Sequence, residues 1–390
     1  MEPSPNIMRL FAPLVRALYS TWSTVAVVAA FTLLCVAGAM LPQVGAVSDS
    51  ALDLWKSDHP VVTAVAEPLG LYEAFSSIPF MVLLAALAVN MVACTTRRAI
   101  LSRKARGGAA VALGGSLVLH VGLLALLAGG AVTAGSSIDG RIVATEGQVI
   151  DLSREDQYLD LRRGVWADGA LPGYALGVES SRPVSDGGVS TAVESVLAVA
   201  EPGAETVSRP LGVNRPVRLE GVVLTHADWG FSPLLTVVSP AGEVLVDAYV
   251  ALLSVHGGGA GAYEDVVEAP GLPGTVRLRL LPDVRIQDGT AVSVSPEPRN
   301  PALEISVLAE DGTVVESGLA FLGSEAEVQG FNFAFGDLRR WTAVRVRADS
   351  GRFVVYAGFA IGLFGLLVRY APAIWAAARS RRSTGNEVSA

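Results

Sequence analysis

His120 is the residue in this chain with the clearest capacity for chemistry. It sits near the middle of an uncharged run from Gly107 to Ile138, bounded by Arg106 and Asp139. About 20 apolar residues at ~1.5 Å rise cross the ~30 Å hydrocarbon core of a bilayer, so the run is long enough for a transmembrane helix. An imidazole at that depth is costly, which makes it a functional-site candidate: ion or proton relay, or metal or haem ligation. The alternative is a packing residue hydrogen-bonded to Ser116 or to a backbone carbonyl. Proton or ion transport usually adds intramembrane carboxylates, and the spans contain none. A self-contained b-type cytochrome needs a second axial ligand, and no other histidine lies in a span. His120 is therefore expected to act with a residue from another chain.

The other candidates are weaker. His59 lies near Trp55 in a short segment between spans, where solvent exposure is the expectation. His226, within Thr225-His226-Ala227-Asp228-Trp229-Gly230, reads as a loop residue after a strand. His256 opens a His-Gly-Gly-Gly stretch resembling an esterase oxyanion loop, but the chain has no Gly-x-Ser-x-Gly elbow, so hydrolase chemistry is dropped. Cys35 and Cys94 fall at different depths of different spans, which argues against a disulfide. There is no Cys-x-x-Cys pair and no Cys-x-x-Cys-His site for covalent haem.

These residues must be positioned by membrane helices. Four apolar runs define expected spans at Trp22 to Leu41, Ile78 to Thr95, Ala109 to Ala131 and Phe353 to Ala371. The corresponding segments are a cytoplasmic N-terminus (1–21), an outer segment (42–77), a basic cytoplasmic loop (96–108), an extracytoplasmic domain (135–350) and a cytoplasmic tail (372–390). Arg9 and Arg16, the link containing Arg97, Arg98, Arg103, Lys104 and Arg106, and Arg379, Arg381 and Arg382 are assigned to the cytoplasm by the positive-inside rule. A competing reading takes Ala37-Gly38-Ala39 as the end of a cleaved signal peptide, but the apolar stretch from Trp22 is longer than an ordinary signal core. In span three, Gly108, Gly115, Gly122 and Gly129 recur every seven residues. They form a seam for close helix packing, with His120 roughly opposite.

Residues 135–350 read as an all-β domain, a sandwich or open barrel. Short strands are expected at Val217 to Leu224, Leu234 to Val238, Val244 to Val250, Val276 to Leu281, Leu303 to Leu308 and Thr342 to Val346. Turns are expected at Pro240-Ala241-Gly242, Asp288-Gly289 and Asp311-Gly312, and longer loops at Leu171 to Ser190 and Gly257 to Gly274. This segment holds thirty Asp and Glu against sixteen Arg, an acidic balance suited to a basic partner or simply to solubility. The net charge of −8 argues against a nucleic-acid partner.

Several stretches together resemble the ResB or CcsB proteins of the system II cytochrome c maturation pathway. They are Leu41-Pro42-Gln43, Gly70-Leu71-Tyr72, Phe75-Ser76-Ser77 with Phe80, Cys94 with Arg97-Arg98, His120-Val121-Gly122-Leu123-Leu124 and Glu146-Gly147. The most specific runs from Val213-Asn214-Arg215-Pro216-Val217 through Gly221 to Trp229-Gly230, and Val346 to Gly351 precedes the last span. Thr225-His226 stands where the family has Tyr-Gln, and Ser350 replaces a proline.

The resemblance implies a multi-pass protein of the cell membrane that carries haem across it and presents haem to apocytochrome c. It implies a subunit that is non-catalytic alone, within a haem transport and cytochrome c synthase complex. The implied partner is a ResC or CcsA-type protein with a tryptophan-rich haem-handling segment, since the tryptophans here are scattered. By the family pattern, His120 is one axial ligand of a non-covalent haem b and the partner's transmembrane histidine is the other. The runner-up reading is a membrane-anchored structural or sensory protein with a ligand-binding β domain. An intrinsic redox cytochrome is third.

Overall fold

The computed structural model describes residues 20–44, 49–167, 171–186, 189–201, 203–256, 262–287 and 290–387. The chain divides into two compact units, one comprising residues 1–133 and 351–390 and the other residues 134–350.

In the first unit the apolar runs become helices. They are α1 (Thr21–Met40), α2 (Asp49–Asp58), α3 (Pro60–Ala66), α4 (Ile78–Ser102), α5 (Gly107–Ser136) and α6 (Arg352–Glu387). Of these, α1, α4, α5 and α6 are long and apolar enough to cross a bilayer. Several run past the apolar stretch itself, because arginine is a good helix former and a change of hydropathy does not stop backbone pairing. The segment between α1 and α4 carries two short helices packed around Leu52, Ala66 and Tyr72. Gln43 ties its ends together. Its Nε2 donates to the carbonyls of Leu41 (3.2 Å) and Leu71 (3.0 Å), and its Oε1 accepts from the Ala74 amide (3.1 Å). Ser77 then caps α4, its hydroxyl accepting from the Phe80 amide.

The second unit holds strands β1 (Ile138–Thr145) to β18 (Phe331–Ala348), and every ladder between strands among the described residues is antiparallel. Two strands are unusually long. β8 (Val222–Val238, 17 residues) pairs with β18 (18 residues) to form a ribbon through a seven-stranded sheet. One end of the ribbon contributes Val222, Leu224, Val344 and Val346 to a core shared with a four-stranded sheet that includes β4 (Ala175–Asp186) and β5 (Val189–Ala200). The other end contributes Phe231, Leu235, Phe333 and Phe335 to a second core, facing a five-stranded sheet around β12 (Thr275–Leu281) and β15 (Ala302–Leu308).

The expectation of one sandwich or barrel is thus corrected to two cores in tandem. β8 is expected in part as two pieces, Val217 to Leu224 and Leu234 to Val238, and β18 only as Thr342 to Val346; the structure makes each strand continuous, with a register shift between Phe335 and Leu338 at the edge of the charged stretch and another between Ala343 and Val344. The expected loop Leu171 to Ser190 is largely β4 and the start of β5. Its small residues pair edge to edge, with a bulge at Val178/Ser180. The loop expected at Gly257 to Gly274 contains β11 (Ala262–Val267), and residues 257–261 lie outside the described residues. So does Asp288-Gly289, whereas Gly242 and Gly312 turn with φ of +82° and +81°.

Candidate functional site

α5 is a helix with two functionally different faces. A Cβ at Gly115 or Gly122 would collide with the backbone of α6 at Arg369 and Gly362 respectively, and one at Gly129 would lie 2.7 Å from the Val355 nitrogen. Gly108 faces Pro372 less tightly, at 3.7 Å. Gly351, just before α6, and Gly358 and Gly365 within it answer with a heptad of their own. A Cβ at Gly351 or Gly365 would strike Thr133 or the Leu119 backbone, and one at Gly358 would come within 2.7 Å of the Leu126 nitrogen. Only glycine lets the two backbones approach this closely.

Away from that seam, His120 lines a groove of about 320 Å³ with Leu113 of α5, Thr24 and Val25 of α1, and Met91, Cys94, Arg97, Arg98 and Leu101 of α4. That volume lies at the lower end of the roughly 300–1,000 Å³ typical of ligand clefts. Met91, Cys94, Arg98 and Leu101 follow helical spacing on one stripe of α4, which is why they share a wall. The His120 Nδ1 lies 2.7 Å from the carbonyl oxygen of Ser116. A carbonyl only accepts, so Nδ1 carries the proton and Nε2 keeps its lone pair, the tautomer needed for binding a metal. Nε2 makes no hydrogen bond among the described residues. The Ser116 Oγ is buried without a partner, and Cys94 Sγ lies 3.8 Å from Asn90 Oδ1.

The chemistry of this donor set would suit an iron porphyrin: one imidazole on a predominantly apolar wall that Met91 and Cys94 also line. Sequence reasoning missed that wall. Arg97 and Arg98 were read as markers of membrane side, and only the tertiary arrangement of α1, α4 and α5 brings them to the imidazole's groove.

The remaining candidates do not join it. His59 stacks on Trp55 at 4.3 Å, its Nδ1 bonded to the Trp55 carbonyl, and is exposed. His256 ends a short strand, β10 (Ser254–His256). His226, expected in a loop, lies inside β8 opposite Val344, where the bulge lets a polar residue enter a continuous strand. Its Nε2 is buried without a partner, and burial holds its pKa below the ordinary value against the opposing pull of Asp228. No cluster of three or more His, Cys, Asp or Glu suited to a metal ion occurs among the described residues.

Several motif residues have architectural roles. The Glu146 carboxylate accepts from the amides of Ser181 (2.6 Å) and Arg340 (3.2 Å), joining the end of β1 to β4 and β18. Gly230 lies opposite Trp341, where a Cβ would come within 2.6 Å of the indole, and that buried ring donates to the Leu252 carbonyl. Asn214, in the left-handed region at φ +58°, turns the chain between Gly212 and Arg215. The turn gathers Arg209, Arg215 and Arg218 around a surface cavity of about 320 Å³, and none of the three is ion-paired among the described residues.

Comparison with known proteins places these features in context. A family model described as "ResB-like family" matches residues 24–111 and 102–388. A cytochrome c biogenesis protein CcsB from Gloeobacter violaceus is 26% identical over 275 residues, covering 66% of this chain and 50% of the relative. A CcsB protein from a Synechococcus strain is 24% identical over 260 residues, covering 64% and 50%. The chain spans about half the length of the curated relatives it matches.

Proposed function

Because this chain belongs to the ResB-like family, we propose that it is a membrane subunit of cytochrome c biogenesis that holds haem in its helical unit on the way to apocytochrome c. The observation that carries this reading is the His120 imidazole, which lines a groove and is fixed through Nδ1 by the Ser116 carbonyl, leaving Nε2 as the ring's unprotonated nitrogen. The relatives' names, cytochrome c biogenesis protein, support the pathway.

In this reading α1, α4, α5 and α6 span the cell membrane, with the short link between α4 and α5 in the cytoplasm and residues 134–350 outside, in keeping with the distribution of basic residues. Haem is the cargo, and its iron supplies an open coordination position. His120 Nε2 donates to that position. The Ser116 carbonyl holds the ring's tautomer and angle, and Leu113, Leu101 and Val25 exclude water from the tetrapyrrole face. A partner membrane chain of the CcsA type would supply the other ligand to the iron. Packing alone accounts poorly for His120, because its hydrogen bond runs to its own helix, four residues back, and joins no second helix.

The test is the haem content of the chain purified with its membrane partner. His120→Ala lowers co-purifying haem, added imidazole partly restores it, and all of the haem extracts into acid acetone. Unchanged haem in a well-expressed His120→Ala chain ends the ligand assignment.

A further inference from the structure

We infer that the groove orients a bound tetrapyrrole dicarboxylate with its carboxylate edge toward Arg97 and Arg98, which select for that edge, while His120 takes the metal. The inference rests on the haem reading above and deepens it.

Among the described residues lining the groove, Arg97 and Arg98 are the only ones with a permanent charge, and none is Asp or Glu. Neither arginine is ion-paired among the described residues. A guanidinium drawn toward an apolar cleft without a counter-ion is costly, and a carboxylate ligand offsets that cost. Arg98 is half-buried and lies on the same stripe as Met91, Cys94 and Leu101, so it belongs to the groove wall. The other basic residues of the link, Arg103, Lys104 and Arg106, do not line the groove.

Position along the helices matches the shape of the ligand. Arg97 and Arg98 lie in the last turns of α4, near the link, and line the groove together with Leu113 and His120 of α5. His120 lies further along, seven residues beyond Leu113, or roughly 10 Å at ~1.5 Å per residue. Metal donor and cations therefore line one groove from different helices, as a ligand carrying both a metal and carboxylates requires. Guanidinium is also the side chain whose planar donors match a carboxylate in bidentate fashion.

The experiment titrates the complex, purified in detergent with its membrane partner, with iron protoporphyrin IX and with its dimethyl ester, whose iron is the same but whose carboxylates are blocked. Binding is read from the Soret band. The intact complex should prefer the free acid by about tenfold or more, as charge-assisted hydrogen bonds predict. Arg97→Gln with Arg98→Gln should remove that preference by weakening free-acid binding alone, and Arg97→Lys with Arg98→Lys should keep part of it. The Lys variant and ester binding by the Gln variant both report on intact folding.

Equal affinity for acid and ester in the unaltered complex overturns the inference, as does a free-acid preference that survives in the Gln variant. In either case, loss of the Soret shift in His120→Gly leaves the haem reading standing. If the unaltered complex gives no Soret shift with either compound, the haem reading falls and the inference with it.

Discussion

At the scale of single residues, His226 shows how a strand interior handles a titratable group. Its Nε2 has no partner and burial depresses its pKa, so the folded state favours the neutral ring. The unfolded chain, with a histidine near 6.5, then binds more protons as pH falls. The stabilisation is present above that value and is lost as pH drops through the depressed folded-state pKa. Thermal unfolding of the intact chain should therefore shift to lower temperature between about pH 7.5 and about pH 5.5, and His226→Gln should flatten that dependence. An unaltered slope in the variant would show that other groups set it. The local environment of this ring was not legible in Thr225-His226-Ala227-Asp228, since a bulge that admits a polar residue depends on the partner strand.

At the scale of elements, the α5–α6 contact is the part of the helical unit whose energetics follow most directly from residue type. The heptad of Gly108, Gly115, Gly122 and Gly129 is visible in sequence, and its physical meaning is close approach. Its partner was not read from sequence, because the last span was read for its ends and not for Gly351, Gly358 and Gly365. Gly114 provides an internal control. A Cβ there would meet nothing within 4 Å, whereas one at Gly122 would collide with the backbone at Gly362. Gly122→Leu should lower the melting temperature of the detergent-solubilised chain, at a cost of about 1–3 kcal/mol or more from overpacking. Gly114→Leu should leave it nearly unchanged. Equal effects from the two substitutions would show that the seam does not carry the packing.

At the scale of the whole molecule, the chain enters and leaves the sheet unit at one place. Ile138 pairs with Ala348 at the mouth of the β1–β18 ladder, so their Cα atoms lie about 5 Å apart. In the helical unit, a Cβ at Gly351 would strike Thr133, so the corresponding helix ends also adjoin. Replacing residues 134–350 with a short Gly-Ser linker should therefore leave the α5–α6 hairpin and the His120 groove intact. The expected outcome is a truncated chain that still co-purifies with haem and its partner but no longer supports covalent haem attachment to cytochrome c. Membrane abundance of the truncated chain and haem-stained cytochrome c from the same cells are the measurements. Normal cytochrome c maturation would assign delivery to the partner.

The sequence by itself determined the four apolar helices, the β character of residues 138–348 and the isolation of His120. Each follows from local quantities: run length, alternation, and the cost of an imidazole among apolar side chains. It did not determine which residues face that imidazole. Arg97, Arg98, Met91 and Cys94 reach the groove through the arrangement of α1, α4 and α5 around it, a relation between segments that no single periodicity encodes. The same holds for the two cores on one ribbon, where strand length was set by pairing between residues 94 to 126 apart in the chain. It holds also for Gly230, whose missing side chain makes sense only once Trp341 lies across from it. Tertiary structure decides such features because close packing is a property of two surfaces, and sequence describes each surface alone.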